Sequence, residues 1–259
     1  MKLWNSLLIA FSTYSSLPMP KADWKPENMR YSMCFFPLIG AVSGLLLWGL
    51  SVLCGILPVG DGLFAAAATA LPLAVSGGIH LDGFCDTSDA LASHREREKK
   101  LEILKDPHTG AFAVIACVLY LLLTFGFWTE LERAESAVLV LAIGFVLSRS
   151  LSGLSVASFR CAEGSSLLAA FSSASHKKAV KAVLLVFLLL CASSMLWLDP
   201  LLGLAALAAA GLSFLYYRVM SYRQFGGING DLAGYFLQIC ELSILGAVVL
   251  MQKIMEVAL

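Results

Sequence analysis

Long apolar runs alternate along the chain with short polar segments. Seven runs stand out, at roughly 34–57, 63–78, 111–128, 137–158, 182–198, 201–217 and 232–251. About 20 consecutive apolar residues cross a hydrocarbon layer as a helix. Only helices and closed barrels satisfy their backbone there, and runs of this length predict helices. The second run is short and carries Pro72, which predicts a kink or a partial crossing. The N-terminal stretch LWNSLLIAFSTYSSLP is also apolar and short, and no A-x-A site follows it. It predicts an interfacial or re-entrant helix ending at Pro18. The expected fold is therefore all-α: a polytopic integral membrane helical bundle of about seven spans plus that short helix. One membrane-embedded domain over 1–259 is expected, since no linker interrupts the pattern.

The polar segments fix an orientation. Those at 18–33, 79–110, 159–181 and 218–231 hold 14 of the 18 lysines and arginines, whereas 58–62, 129–136 and 199–200 hold only Arg133. Alternate loops are basic, so the basic side is expected to be cytoplasmic. The N-terminus then lies in the cytoplasm and the C-terminus outside. The polar, glycine-bearing and acidic sequences all fall on the cytoplasmic face, so the active site is expected there.

Composition narrows the class. Hydrophobic residues make up 59% of the chain and charged residues 14%, where soluble domains carry about 25% charged. Mean hydropathy is +0.81. A water-soluble globule is excluded. The 18 Lys+Arg balance 18 Asp+Glu, so no nucleic-acid partner is expected from bulk charge. The chain has no GxxxxGK[ST] and no G-x-S-x-G, which argues against P-loop ATP hydrolysis and serine hydrolysis.

The first chemical cluster is Gly77-Gly78-Ile79-His80-Leu81-Asp82-Gly83-Phe84-Cys85-Asp86-Thr87-Ser88-Asp89. Asp82, Asp86 and Asp89 are spaced i, i+4, i+7 and share one helix face. Hard carboxylates on one stripe suit Mg²⁺ or Mn²⁺; the alternative is a solvated acidic face. His80 is expected in the glycine turn formed with Gly77 and Gly78, free to act as a base or to touch phosphate.

The second cluster is Gly226-Gly227-Ile228-Asn229-Gly230-Asp231. Its glycines would let backbone N–H groups approach a phosphate. Asp231 is either a helix N-cap or a ligand, sharing a face with Gln238 and Glu241. Glu241 lies about 15 Å further along the helix, inside the apolar layer. It needs a partner, a cavity or a proton there. Arg149, halfway along the fourth run, either pairs with Glu241 or neutralises a phosphate. The segment 95–105 alternates in charge and predicts a surface helix whose cations, Lys105 among them, attract an anionic substrate. Gly40 and Gly44 form a GxxxG pattern, which predicts helix packing. These residues point to metal-assisted phosphoryl chemistry at a membrane surface.

At these residues the chain resembles a known family. GGIHLDGFCDTSDAL resembles the signature of the cobalamin synthases, the adenosylcobinamide-GDP ribazoletransferases. FSTYSSLPMP, FFPLIGAVSG, REREKKLEILKDPHTGAFAV, SRS with EGSSLLAAF, and GGINGDLAGYFLQICE resemble further family segments, in order, along nearly the whole chain. Asn229 stands where the pattern has Thr, Tyr235 where it has a small residue, and Ser165-Ser166 where it has more glycine.

The resemblance implies a bacterial inner-membrane enzyme. Its substrates would be adenosylcobinamide-GDP and α-ribazole or its 5′-phosphate. Its products would be adenosylcobalamin or its phosphate, with release of GMP, in the last assembly step of vitamin B12. Mg²⁺ would be the cofactor, held by Asp82, Asp86, Asp89 and Asp231, with Glu241 a further candidate. His80 or Asp82 would take the proton of the ribazole hydroxyl. Gly77, Gly78, Gly226, Gly227, Asn229, Lys105 and Arg149 would meet phosphate or substrate. The lipid bilayer is the remaining partner, and a homo-oligomer stays open. Two rivals remain: a membrane phosphotransferase of the CDP-alcohol type, whose motif also begins D-G-x-x-D, and a non-enzymatic corrinoid transporter or complex subunit.

Overall fold

The computed structural model describes residues 2–164 and 166–258, with only the backbone of Ser166 and Leu167. Ser165, one of the departures from the family pattern, lies outside the described residues. Among these residues the chain is helical without strands. Three helices open it: α1 (Lys2–Tyr14), α2 (Pro26–Met29) and α3 (Ser32–Ile56). A broken pair follows, α4 (Asp61–Ser76) and α5 (Ile79–Ala92), then the short α6 (Arg97–Ile103). Next come α7 (Ala111–Glu130), α8 (Glu135–Ser158), α9 (Ser166–Ala174) and α10 (Lys177–Leu198). The hairpin α11 (Pro200–Phe225) and α12 (Gly230–Ala258) completes the bundle.

Six of these, α3, α7, α8, α10, α11 and α12, are long and apolar enough to cross a membrane. The second expected span differs from the reading above. α4 has 16 residues and passes that test only together with α5, to which it is bent by 95°. Pro72 lies inside α4 without breaking it. The break is made by Gly77 and Gly78, with φ of 64° and 80°, a left-handed pair that suits glycine. Their N–H groups bond back to carbonyls of Leu73 and Ala74 and close the end of α4. Ser16 caps the same end from outside: its N–H donates to Val75 O at 2.8 Å and its hydroxyl to Ala74 O.

Burial sets the order of the bundle. In α8, 72% of the apolar window is buried, against 22% in α7 and α10. α8 is the central post, and α7 and α10 turn Leu122, Leu189 and Trp197 outward. Gly40 and Gly44 of α3 lie on the backbone of Phe145 and Ala142 of α8, where any side chain would collide. That is the close approach GxxxG permits. A second such contact joins α5 to α12. A Cβ on Gly83 would sit 2.7 Å from Asp231 O, and one on Gly234 would sit 2.9 Å from His80 O. Here the two helices pack main chain to main chain, and this contact builds the site.

Candidate active site

Where α5 meets α12, a cavity of about 290 Å³ opens toward the loops that carry Lys105, Glu163 and Asn229. One wall is polar. Asp82 from α5 and Asp231 from α12 line it, with Asn229, Lys105 and Glu163 around the mouth. Asn229 is the helix cap: its Oδ1 accepts from Leu232 N–H at 2.8 Å, and its Nδ2 donates to Asp231 at 3.1 Å. Capping by Asn229 leaves Asp231 available to the cavity. The Asp82 carboxylate has no hydrogen bond or ion pair among the described residues. Asp86 is half-buried behind the wall with the charges of Asp82, Asp231 and Asp89 around it. Like charges this close repel unless a cation or protons offset them.

The other wall is aromatic. The Tyr14 ring lies 4.7 Å from Phe36 and 6.3 Å from His80, between centroids. Met33, Val156, Leu168 and Leu237 extend this wall. His80 is in the first turn of α5, not in the glycine turn, because the helix begins at Ile79. It is 5% exposed, and its Nε2 is buried without a partner.

Deeper in the bundle a second acid takes the opposite course. Glu241 accepts from Arg149 Nη1 at 2.6 Å and from the Ser148 hydroxyl at 2.9 Å. Arg149 also donates to Phe145 O at 3.1 Å, and its side chain is 1% exposed. Glu241 lines a separate hollow of about 30 Å³ with Tyr120 and Thr124. Of the two options for Arg149, the pairing is the one observed.

A match to known proteins decides the family. The family model described as cobalamin-5-phosphate synthase covers residues 6–249. The chain belongs to the cobalamin-5-phosphate synthase family. A relative from Lachnoclostridium phytofermentans, named adenosylcobinamide-GDP ribazoletransferase, is 46% identical over 242 residues, covering 93% of this chain and 92% of the relative. Relatives of the same name from Clostridium perfringens (35% identical; 92% of this chain, 94% of the relative) and Pseudomonas fluorescens (34%; 93% and 98%) agree. No solved structure matches the chain. As a member of this family the protein is an enzyme.

In this chain the expected site residues divide. Asp82, Asp231, His80, Asn229 and Lys105 line one cavity, and Asp86 stands beside it. Asp89 lies against Gly110, at the N-terminus of α7, where a helix dipole favours an anion. It is not among the residues lining the cavity. Glu241 and Arg149 are spent on each other.

The four glycines already commit their N–H groups to helix ends. Gly77 and Gly78 close α4. Gly226 and Gly227 direct their N–H groups to Ser221 O and end α11. Gly227 also makes room for the 160–162 backbone, where Ile228 N–H donates to Arg160 O and Ala162 N–H to Ile228 O. Next to Lys105, the Asp106 carboxyl is held below the usual carboxylate range by the His108 N–H and ring.

The residue reading missed Tyr14 and Phe36. Their only sequence signal is that FSTYSSLP and FFPLIG are among the segments resembling the family. It also missed Glu163, whose signal was an acid beside a loop glycine.

Proposed function

We propose that this chain joins adenosylcobinamide-GDP to α-ribazole or its 5′-phosphate, releasing GMP, with Mg²⁺ as cofactor. We further propose that it does so from the cytoplasmic face of a bacterial inner membrane, with its N-terminus in the cytoplasm. The alternation of basic loops supports that orientation. The observation that carries the reaction is the Asp82–Asp231 wall: two carboxylates from two distant motifs share one cavity, and among the described residues no cation is paired to Asp82.

The donor set suits a hard ion, being carboxylate oxygen without thiolate. Among the described residues no three His, Cys, Asp or Glu side chains converge closely enough to hold a metal alone. That fits Mg²⁺, which usually takes one or two carboxylates and completes its shell with phosphate oxygens and water. Asp82 and Asp231, which line the cavity, would hold it, with Asp86 adding negative charge beside them. When bound, the ion supplies positive charge to the diphosphate and to the leaving GMP.

The protein's own groups do the rest. Lys105 at the mouth attracts the diphosphate. Asp82 accepts the proton of the ribazole hydroxyl; His80 is the weaker choice because its Nε2 is sealed in packing. The freed oxygen bonds to the phosphorus on the cobinamide side. The bond from that phosphorus to the bridging oxygen breaks, and its electron pair leaves with GMP. Alignment of the two substrates in one cavity supplies much of the acceleration.

The test is an assay of the detergent-purified protein with both substrates, with and without Mg²⁺. GMP and a corrinoid product should appear together, only with ribazole present, and vanish with chelator. GMP release that is independent of ribazole would overturn the reading.

A further inference from the structure

The cavity has two unlike walls, and the reaction joins two unlike substrates. Its volume of about 290 Å³ is at the lower edge of the ~300–1,000 Å³ usual for small-molecule sites. It holds a body the size of one nucleoside, and no corrin ring fits with it. That volume suits one nucleoside inside, with the remainder of the donor at the mouth.

We infer that the aromatic wall of Tyr14, Phe36 and His80 is the seat of the ribazole base, with the guanine of the donor held outside the cavity. This rests on the transferase reading above. The argument is one of hydrogen-bond supply. Guanine presents N7 and O6 acceptors and an N2 donor along its edges, and burying these unpaired costs affinity. Around Tyr14 the lining continues with Met33, Val156 and Leu168, which offer no hydrogen bonds, and with two small hydroxyls, Ser152 and Thr13, the latter already donating to Ile9 O at 2.7 Å; these are too few for a guanine edge. A benzimidazole-type base, bicyclic and with a single free ring nitrogen, presents almost nothing to satisfy. Its flat faces suit the ring cluster, in which Tyr14 and His80 lie within 21° of parallel.

Position agrees with chemistry. His80 belongs to the aromatic wall, and Asp82 follows two residues later on α5 in the polar wall. A nucleoside with its base against His80 and Tyr14 places its sugar toward Asp82, where its hydroxyl must react. The reverse placement, guanine inside, would put the leaving nucleotide deepest and the attacking hydroxyl furthest from the carboxylates.

The experiment measures binding separately from turnover. Full-length protein in detergent with Mg²⁺ is titrated calorimetrically with α-ribazole alone and with GDP alone. Tyr14→Leu should weaken ribazole binding about tenfold or more, as loss of a stacking face does, and leave GDP within about twofold. Tyr14→Phe, which keeps the ring, should bind ribazole within about threefold of the native protein. In the assay, Tyr14→Leu should raise KM for ribazole and not for the donor. Thr13→Trp, which fills the same wall, should exclude ribazole even where Tyr14→Leu does not fold.

Loss of GDP affinity with ribazole unchanged would overturn the inference, as would no ribazole binding by the native protein. Ribazole binding that obeys these variants, without GMP release from both substrates, would leave this seat standing and sink the transferase reading instead.

Discussion

Two sets of charges lie among the helices, one sealed in packing and one open at Asp82, which is exposed, and they are treated in opposite ways. Glu241 meets Arg149 at 2.6 Å, with a serine hydroxyl beside it, and both side chains are nearly inaccessible. Asp82, Asp86 and Asp231 lie near one another at the contact of α5 and α12, and among the described residues no arginine or lysine is bonded to any of them. In an apolar setting an unpaired charge is costly. The deep pair answers that cost within the fold and so belongs to stability. The aspartates leave theirs unanswered, which is the mark of a place prepared for something carried in from outside.

The sharpest way to break this contrast is Asp82→Asn. It should lower GMP release by about a thousandfold, as loss of an electrostatic group in the reacting zone does, while thermal unfolding barely moves. A variant retaining near-native turnover would show that the open carboxylate has no catalytic use.

Glu241→Gln should do the converse. Leaving Arg149 buried without its counter-charge costs about 3–5 kcal/mol, read as a fall in unfolding temperature and in yield. The double change Arg149→Met with Glu241→Leu should recover most of that loss, because an apolar pair of similar size needs no counter-charge. If the single variant unfolds like the native protein, the pair is not structural.

Gly234→Ala probes the geometry between the two regions. The added Cβ would meet His80 O at 2.9 Å, so α5 and α12 must part slightly. Displacement of a reacting group by about 1 Å costs on the order of a hundredfold, and turnover should fall ten- to a hundredfold in protein that still folds.

Asn229→Ala gives the smallest effect. It removes the cap of α12, worth about 1 kcal/mol, and a donor to Asp231. Asn229→Thr should keep the cap, and activity within about threefold, measured in the same assay.

Much of this was legible in the sequence because it is periodic. Apolar runs set the spans to within two residues at each end for α3, α7 and α8, and the i, i+4, i+7 spacing put Asp82, Asp86 and Asp89 on one helix, α5. What the pattern hid were the terms that compete locally. Pro72 carries the stronger reputation as a helix breaker, yet α4 runs through it, and the bend falls where two glycines adopt positive φ. The glycines near Asp231 read as anion cradles because a loop N–H looks the same on paper whether it is free or, as for Gly226 and Gly227, already committed to a helix end. Asp89 reads as a ligand by spacing, but the N-terminus of α7 arrives beside it only through the fold. Tyr14 and Phe36 come from helices distant in sequence from α5, and no local spacing could have placed them against His80.

The glycine contact between α5 and α12 has a mechanical consequence. Methyl groups between two helices form a compressible cushion, and small tilts are absorbed there. At Gly83 and Gly234 the cushion is missing, so the separation of Asp82 and Asp231 is a bearing surface of rigid parts. The main chains that carry Asp82 and Asp231 can change their separation only if one whole helix moves against the other.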